Sequence, residues 1–259
     1  MSDPTDTPPL SAGRLRAPER LVLVRHGESV GNVADRRAGA AGLGQLDLAT
    51  RDPDTPLSDN GRAQAEALGA YFAALPRAER PDAVLSSPYL RARTTAEICL
   101  AAAGMTELLA VDERLRERDL GSWEGYTHKG ITEKFPEEAA RRARTGKFYY
   151  RPPGGESWTD VALRVRSVLG DIRAEYHDAN VWVFSHQAVI MSFRLVIEGL
   201  QEASLLEIDS TVPLPNCSLT TYVREEGGTL ELESYADSGP IERSPATSTR
   251  EPAAGMAPG

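Results

Sequence analysis

Apolar residues gather along this chain in two rhythms. Short runs of aliphatic and β-branched residues, "RLVLV" at 20–24, "AVLSS" at 83–87, "LLAVD" at 108–112 and "VWVFS" at 181–185, read as buried strands. Between them the spacing turns helical. Leu68, Tyr71, Phe72 and Leu75 fall at i, i+3, i+4 and i+7 within 58–75, and Val161, Val165, Val168, Leu169 and Ile172 mark one face of 156–177. The stretch 187–200, "QAVIMSFRLVIEGL", is apolar around most of its circumference and reads as a buried helix after the fourth strand. Ser87 as cap and Pro88 at the first helical position predict another helix that starts there, with Arg91 in or just beyond its first turn. "NCSLTTYVREEGGTLELESY" reads as a hairpin turning at Gly227-Gly228, adding an antiparallel component. Strands alternating with helices predict an α/β fold: a three-layer α/β/α sandwich on a mostly parallel sheet with at least one antiparallel strand.

Composition sets the limits of the folded unit. Residues 1–18 and 236–259 are rich in Pro, Ser, Gly and Ala without apolar periodicity and read as disordered tails, leaving one domain over 19–235. A chain of 259 residues, 41% hydrophobic, supports such a core without disulfides or metal. Cys99 and Cys217 form neither a metal spacing nor a disulfide framework, which suits a reducing cytoplasm. With no apolar leader and no run approaching roughly 18 apolar residues, neither secretion nor membrane insertion is expected. The net charge of −9 argues against nucleic acid as a partner, though a small anion in a locally positive cleft is compatible with it.

Three of the apolar runs hand over to cationic or titratable residues: Arg25 and His26 after the first, Arg91 after the second, His186 after the fourth. In open α/β sheets ligands bind outside the carboxyl ends of the parallel strands, so these residues converge on one pocket. Two guanidinium forks and two imidazoles suit a phosphate dianion, since the forks bind its oxygens through paired, charge-assisted bonds. No metal site is expected, because His26, His128, His177 and His186 form no ligand pattern and arginines would oppose a cation. Neither GxxxxGK[ST] nor GxGxxG occurs, so no nucleotide cofactor is indicated.

"RHGES" with Asn32, "SSPYLRARTTAE", "LRERDLGSWEG" and "FSHQAV" occur in the order of the signatures of the histidine phosphatase superfamily, and the chain resembles that phosphoglycerate-mutase-like family over about 20–225. The resemblance implies a phosphoglycerate-mutase-like sandwich and a cofactor-free, metal-independent phosphatase acting on a small phosphorylated metabolite through a phosphohistidine. It makes His26 the nucleophile and Glu117 the proton donor, in preference to Glu113 or Glu124. Arg25, Asn32, Arg91 and His186 would hold the phosphoryl oxygens. Glu28 would help set the loop.

Within the family, "FPEEAARRARTGKFYYRPPGGESW" and "SHQAV" are most similar to the fructose-2,6-bisphosphatase branch, which implies substrate-binding roles for Arg142, Lys147, Trp158 and Gln187. The chain departs from that branch where His128 replaces a tyrosine and Met191 an arginine. Residues 120–155 are expected to cover the pocket, and the long run "RRAGAAGLGQLDLATRDPDTPLS" to line or cover it. A phosphoglycerate mutase and a noncatalytic phospho-ligand or phosphoprotein-binding module are the alternative functions. A homodimer is left open.

Overall fold

The four apolar runs become neighbouring strands of one sheet in the computed structural model, which describes residues 17–250. The strands are β1 (Arg20–Arg25), β2 (Ala83–Ser86), β3 (Leu109–Val111), β4 (Asn180–Ser185), β5 (Leu219–Arg224) and β6 (Leu230–Asp237). Their spatial order is β3-β2-β4-β1-β5-β6. The first four are parallel, while β5 runs antiparallel to β1 and β6 antiparallel to β5 as the predicted hairpin.

The chain crosses from β1 over to β2 and β3, then returns to lay β4 between β2 and β1. Right-handed crossovers in opposite directions place their helices on opposite faces. Accordingly, α2 (Asp59–Ala74) and α3 (Leu90–Ala103) cover one face, while α6 (Trp158–Glu175) and α7 (Gln187–Glu198) cover the other. Alternation along β1 follows from this. Val22 and Val24 pack with Trp182 and Phe184 on Leu68, Phe72 and Leu100, whereas Leu21 and Leu23 pack with Val181 and Val183 on Val165, Leu169 and Phe193. The reversal at β4 opens a crevice at the carboxyl ends of β1, β2 and β4.

Three other pieces frame that crevice. The loop after β1 leads into α1 (Val30–Ala40), capped by Ser29 with a reciprocal bond from Asn32. The insert carries α4 (His128–Lys134) and α5 (Pro136–Thr145); its end and α8 (Glu202–Thr211) are seated by an apolar cluster of Phe148, Trp158, Met191, Leu195 and Leu205. A strap over residues 44–54 is tied to the insert through Leu46 N–H to Gly125 O at 2.9 Å and Thr127 N–H to Gly44 O at 3.1 Å.

Two expectations need correction. The third helix starts at Leu90, not Pro88, with Tyr89 as its N-cap, because the Ser87 hydroxyl is engaged by His186 and accepts only the Tyr89 N–H. Residues 236–250 are not a disordered tail: β6 runs to Asp237, α9 (Gly239–Glu242) follows, and Ile241 is fully buried on the α2–α3 face. Beyond it Gln64 donates to Thr247 O at 2.7 Å and to Thr249 Oγ1 at 2.9 Å. Apolar periodicity could not announce a segment anchored by one isoleucine and side-chain amides. Ala17, inside the expected first tail, is also buried. The rest of both expected tails, 1–16 and 251–259, lies outside the described residues. Among the described residues no helix is long and apolar enough to cross a membrane.

Candidate active site

His26 leaves β1 where its N–H bonds Ser185 O of β4 at 3.0 Å, so the sheet itself aims it. The turn that follows is pressed backbone to backbone against the start of α2. A Cβ on Gly27 would come within 2.6 Å of Gly61 O, and one on Gly61 within 1.9 Å of Glu28 O, so only glycines fit. Glu28 serves this loop, not the cavity: its N–H donates to Gln64 Oε1 at 2.8 Å, and its carboxylate accepts from Ser58 and Arg36.

The His26 ring is 3% exposed, and its Nδ1 lies 2.7 Å from Gly27 O. A carbonyl can only accept, so Nδ1 carries the proton and Nε2 the lone pair. The Arg91 Nε–H, 3.3 Å from Nε2, requires the same tautomer. Burial, then the charges of Arg91 and Arg25, hold the His26 pKa well below its usual value, only partly offset by the Gly27 bond. His186 is fully buried beside it, ring centroids 5.1 Å apart, and its pKa is lowered by burial and then by Arg91, His26, Arg164 and Arg25. Its Nε2 is 2.8 Å from Ser87 Oγ. Both imidazoles are therefore neutral near pH 7.

His26 forms the floor of a cavity of about 780 Å³ lined also by Asn32, Arg91 and Glu117, and by Lys147, Trp158 and Gln187. Asn32 turns its Oδ1 to the Ser29 N–H at 2.9 Å and to Asn216 Nδ2 at 3.4 Å. The amino ends of α3 and α7 also face this edge, adding partial positive charge. Glu117 stands on a loop braced from below: Arg164 donates to Arg114 O, Glu117 O and Glu156, and Glu156 also takes Arg116.

Arg25, Arg142 and His186 do not line the open cavity. Arg25 is 1% exposed, directs Nη1 to Leu214 O, and acts on the histidines through its charge from beneath. Arg142, on α5, lies outside the lining, though its charge reaches Arg118 within it. The insert and the strap both line the cavity, through Tyr126 and Lys147 and through Gln45 to Pro53.

Three residues escape a reading of the sequence. Asp52, on the strap, grips Arg91: its carboxylate lies 2.9 Å from Nη1 and 3.2 Å from Nη2, and its carbonyl oxygen takes Nη1 at 2.7 Å. Asp209 of α8 binds Lys147 and Gln187. Arg118, next to Glu117, lies over the Trp158 ring at 5.7 Å. Only Arg118 had a signal, its place in the acid's own motif.

Sheet, crevice and histidine pair together define an α/β protein with a neutral imidazole set among arginines on the floor of its cavity. The sequence model of the histidine phosphatase superfamily (branch 1) matches residues 21–238, and the chain belongs to that superfamily. It is 32% identical over 199 residues to 2,3-bisphosphoglycerate-dependent phosphoglycerate mutase 2 of Gloeobacter violaceus, covering 75% of this chain and 83% of the relative. It is 34% identical over 192 residues to 6-phosphofructo-2-kinase/fructose-2,6-bisphosphatase of Caenorhabditis elegans, covering 74% of this chain but spanning only 36% of that longer protein. The solved structure of mycobacterial glucosyl-3-phosphoglycerate phosphatase superposes with a TM-score of 0.67 at 28% identity, covering 85% of this chain and 99% of that one.

Proposed function

We propose that this chain is a phosphoric monoester hydrolase that cleaves a small phosphorylated metabolite through a phosphohistidine on His26, without metal. The observation that carries this reading is the His26 ring: Nδ1 pinned on Gly27 O, Nε2 unprotonated and aimed among cations on the cavity floor. In the first step Nε2 forms a bond to phosphorus as the ester P–O bond breaks, and Glu117 gives its proton to the departing oxygen. Arg91 Nε releases Nε2, and its guanidinium, with Asn32 and the positive field of Arg25, holds the equatorial oxygens. His186 packs beside the His26 ring, centroids 5.1 Å apart, and helps hold it in place. In the second step water attacks phosphorus, Glu117 takes a water proton, the P–N bond breaks, and inorganic phosphate leaves with His26 restored.

The relatives support the hydrolase reading, since the glucosyl-3-phosphoglycerate phosphatase shares the fold across nearly its whole length. The Gloeobacter relative's name favours a mutase, in which the phosphohistidine returns its phosphoryl to the substrate; a coupled phosphoglycerate mutase assay separates the two. The direct test is hydrolysis of p-nitrophenyl phosphate with and without EDTA, with acid-quenched trapping of phosphohistidine. Activity indifferent to EDTA and lost with the trapped label in His26→Ala is expected. Full activity in His26→Ala would sink the reading. It includes cytoplasmic residence, in keeping with two buried free thiols, and a homodimer. Sedimentation showing only monomer would end the dimer.

A further inference from the structure

The outer end of the cavity bears on which esters the enzyme accepts, an inference that rests on the phosphatase reading. The fructose-2,6-bisphosphatase resemblance implies a second phosphate site there, and the side chains now placed do not make one. Arg142 lies outside the lining. Met191, where that branch has an arginine, is fully buried in the apolar cluster with Phe148, Leu195 and Leu205. Lys147 Nζ is 2.7 Å from Asp209 Oδ2, and Gln187 Nε2 is 2.9 Å from Asp209 Oδ1. Lys147 is therefore already bound, together with Gln187, to one carboxylate, whose side chain is only 2% exposed.

Cations and carboxylates alternate at this end. Arg118 and Lys147 both lie 5.7 Å from the Trp158 ring, and Arg118 lies in the fields of Glu117, Arg142, Asp209 and Glu156. A phosphate entering here meets Asp209 head on. Driving Asp209 off Lys147 would strand a buried carboxylate without its partner. A hydroxyl has no such conflict: it donates to Asp209 and accepts from Lys147 or Gln187, so the Asp209–Lys147 pair is kept.

We propose that Asp209 sets the substrate class: the cavity selects phosphomonoesters of neutral, hydroxyl-rich leaving groups, sugar or polyol monophosphates, and rejects esters that carry a second phosphate. The test compares kcat/KM of the full chain for fructose 6-phosphate and fructose 1,6-bisphosphate, in wild type and in Asp209→Asn, which keeps the shape and removes the charge. Wild type is expected to favour the monophosphate by about tenfold or more, and Asp209→Asn to shift that ratio toward the bisphosphate by about tenfold. A ratio is insensitive to the fraction of active enzyme, so partial loss of folded variant does not blur it. Wild type preferring the bisphosphate overturns the proposal without any variant, as does an unchanged ratio in Asp209→Asn. Wild type inert even toward p-nitrophenyl phosphate overturns the phosphatase reading first, and this inference with it.

Discussion

Arg91 is the cation best placed to hold a phosphate, yet its fork is filled by Asp52, so a substrate must displace one anion to bind as another. Asp52→Asn removes the charge while keeping the side-chain shape and the carbonyl contact to Nη1. Two charge-assisted contacts at 2.9 and 3.2 Å are at stake. Fully sheltered, such a pair would be worth roughly 1.5–3 kcal/mol. The Arg91 side chain is 7% exposed but Asp52 is 39% exposed, so solvent screening reduces this to about 1–2 kcal/mol. Removing the competitor returns that amount to an incoming phosphate, and the inhibition constant of inorganic phosphate should fall by about five- to thirtyfold. The assay is competitive inhibition of p-nitrophenyl phosphate hydrolysis at fixed ionic strength, and the wild-type constant should approach the variant's as salt is raised. An unchanged or weaker inhibition in Asp52→Asn would refute the reasoning, because Asp52 would then remain on Arg91 in the liganded enzyme and act as its anchor.

Glu117→Gln should slow an alkyl phosphate by about 10²–10⁴-fold, whereas p-nitrophenyl phosphate, whose leaving group needs no proton, should give a burst of nitrophenolate and then slow turnover. Equal losses on both without a burst would remove Glu117 from the acid's role. His26 and His186 are held neutral in the fold while the unfolded chain takes up protons below about pH 6.5. The unfolded state then binds more protons, so stability falls as pH drops through that value, by up to about 1.4 kcal/mol per pH unit for each histidine. Urea midpoints at pH 7.5, 6.5 and 5.5 check this, and a flat profile contradicts it. Deleting residues 247–259 removes the bonds of Thr247 and Thr249 to Gln64 and Asn216; at roughly 0.5–1.5 kcal/mol each, stability should drop by about 2–6 kcal/mol. Because Asn216 also holds His26 O at 3.1 Å, kcat should fall as well; a truncated chain with wild-type melting and turnover would be the contrary result.

What the sequence made legible is whatever is continuous with a strand. Arg25, His26 and His186 are the next residues of β1 and β4, and Arg91 is one turn into the helix after β2, so fixing the strands fixes them. Even the placement of Arg25 beneath the site follows from period two. It shares parity with Leu21 and Leu23, whose side chains enter the α6–α7 face. Asp52 and Asp209 were hidden for the opposite reason. One sits on an irregular strap and the other on a helix of mixed polarity, and nothing local tells an acid that will close on a distant cation from one that faces water. Lys147 and Gln187 were found by motif, but both donate to Asp209, which lies outside the motif. The helix start at Leu90 was misread because the Ser87 hydroxyl is spent on His186, 99 positions away in the chain.

The place of β4 between β2 and β1 has a consequence for how the protein is made. The strand that aims His26 leaves the ribosome early, but the neighbours that complete it, Ser185 on one side and the start of β5 on the other, are translated much later. Closing so long a loop is entropically expensive and slow compared with forming any helix. Until that closure His26 hangs on an unpaired ribbon apart from Arg91 and His186. The site is thus assembled in one late step, and a nascent or prematurely ended chain lacking β4 carries the "RHG" motif without the residues that surround His26 in the fold.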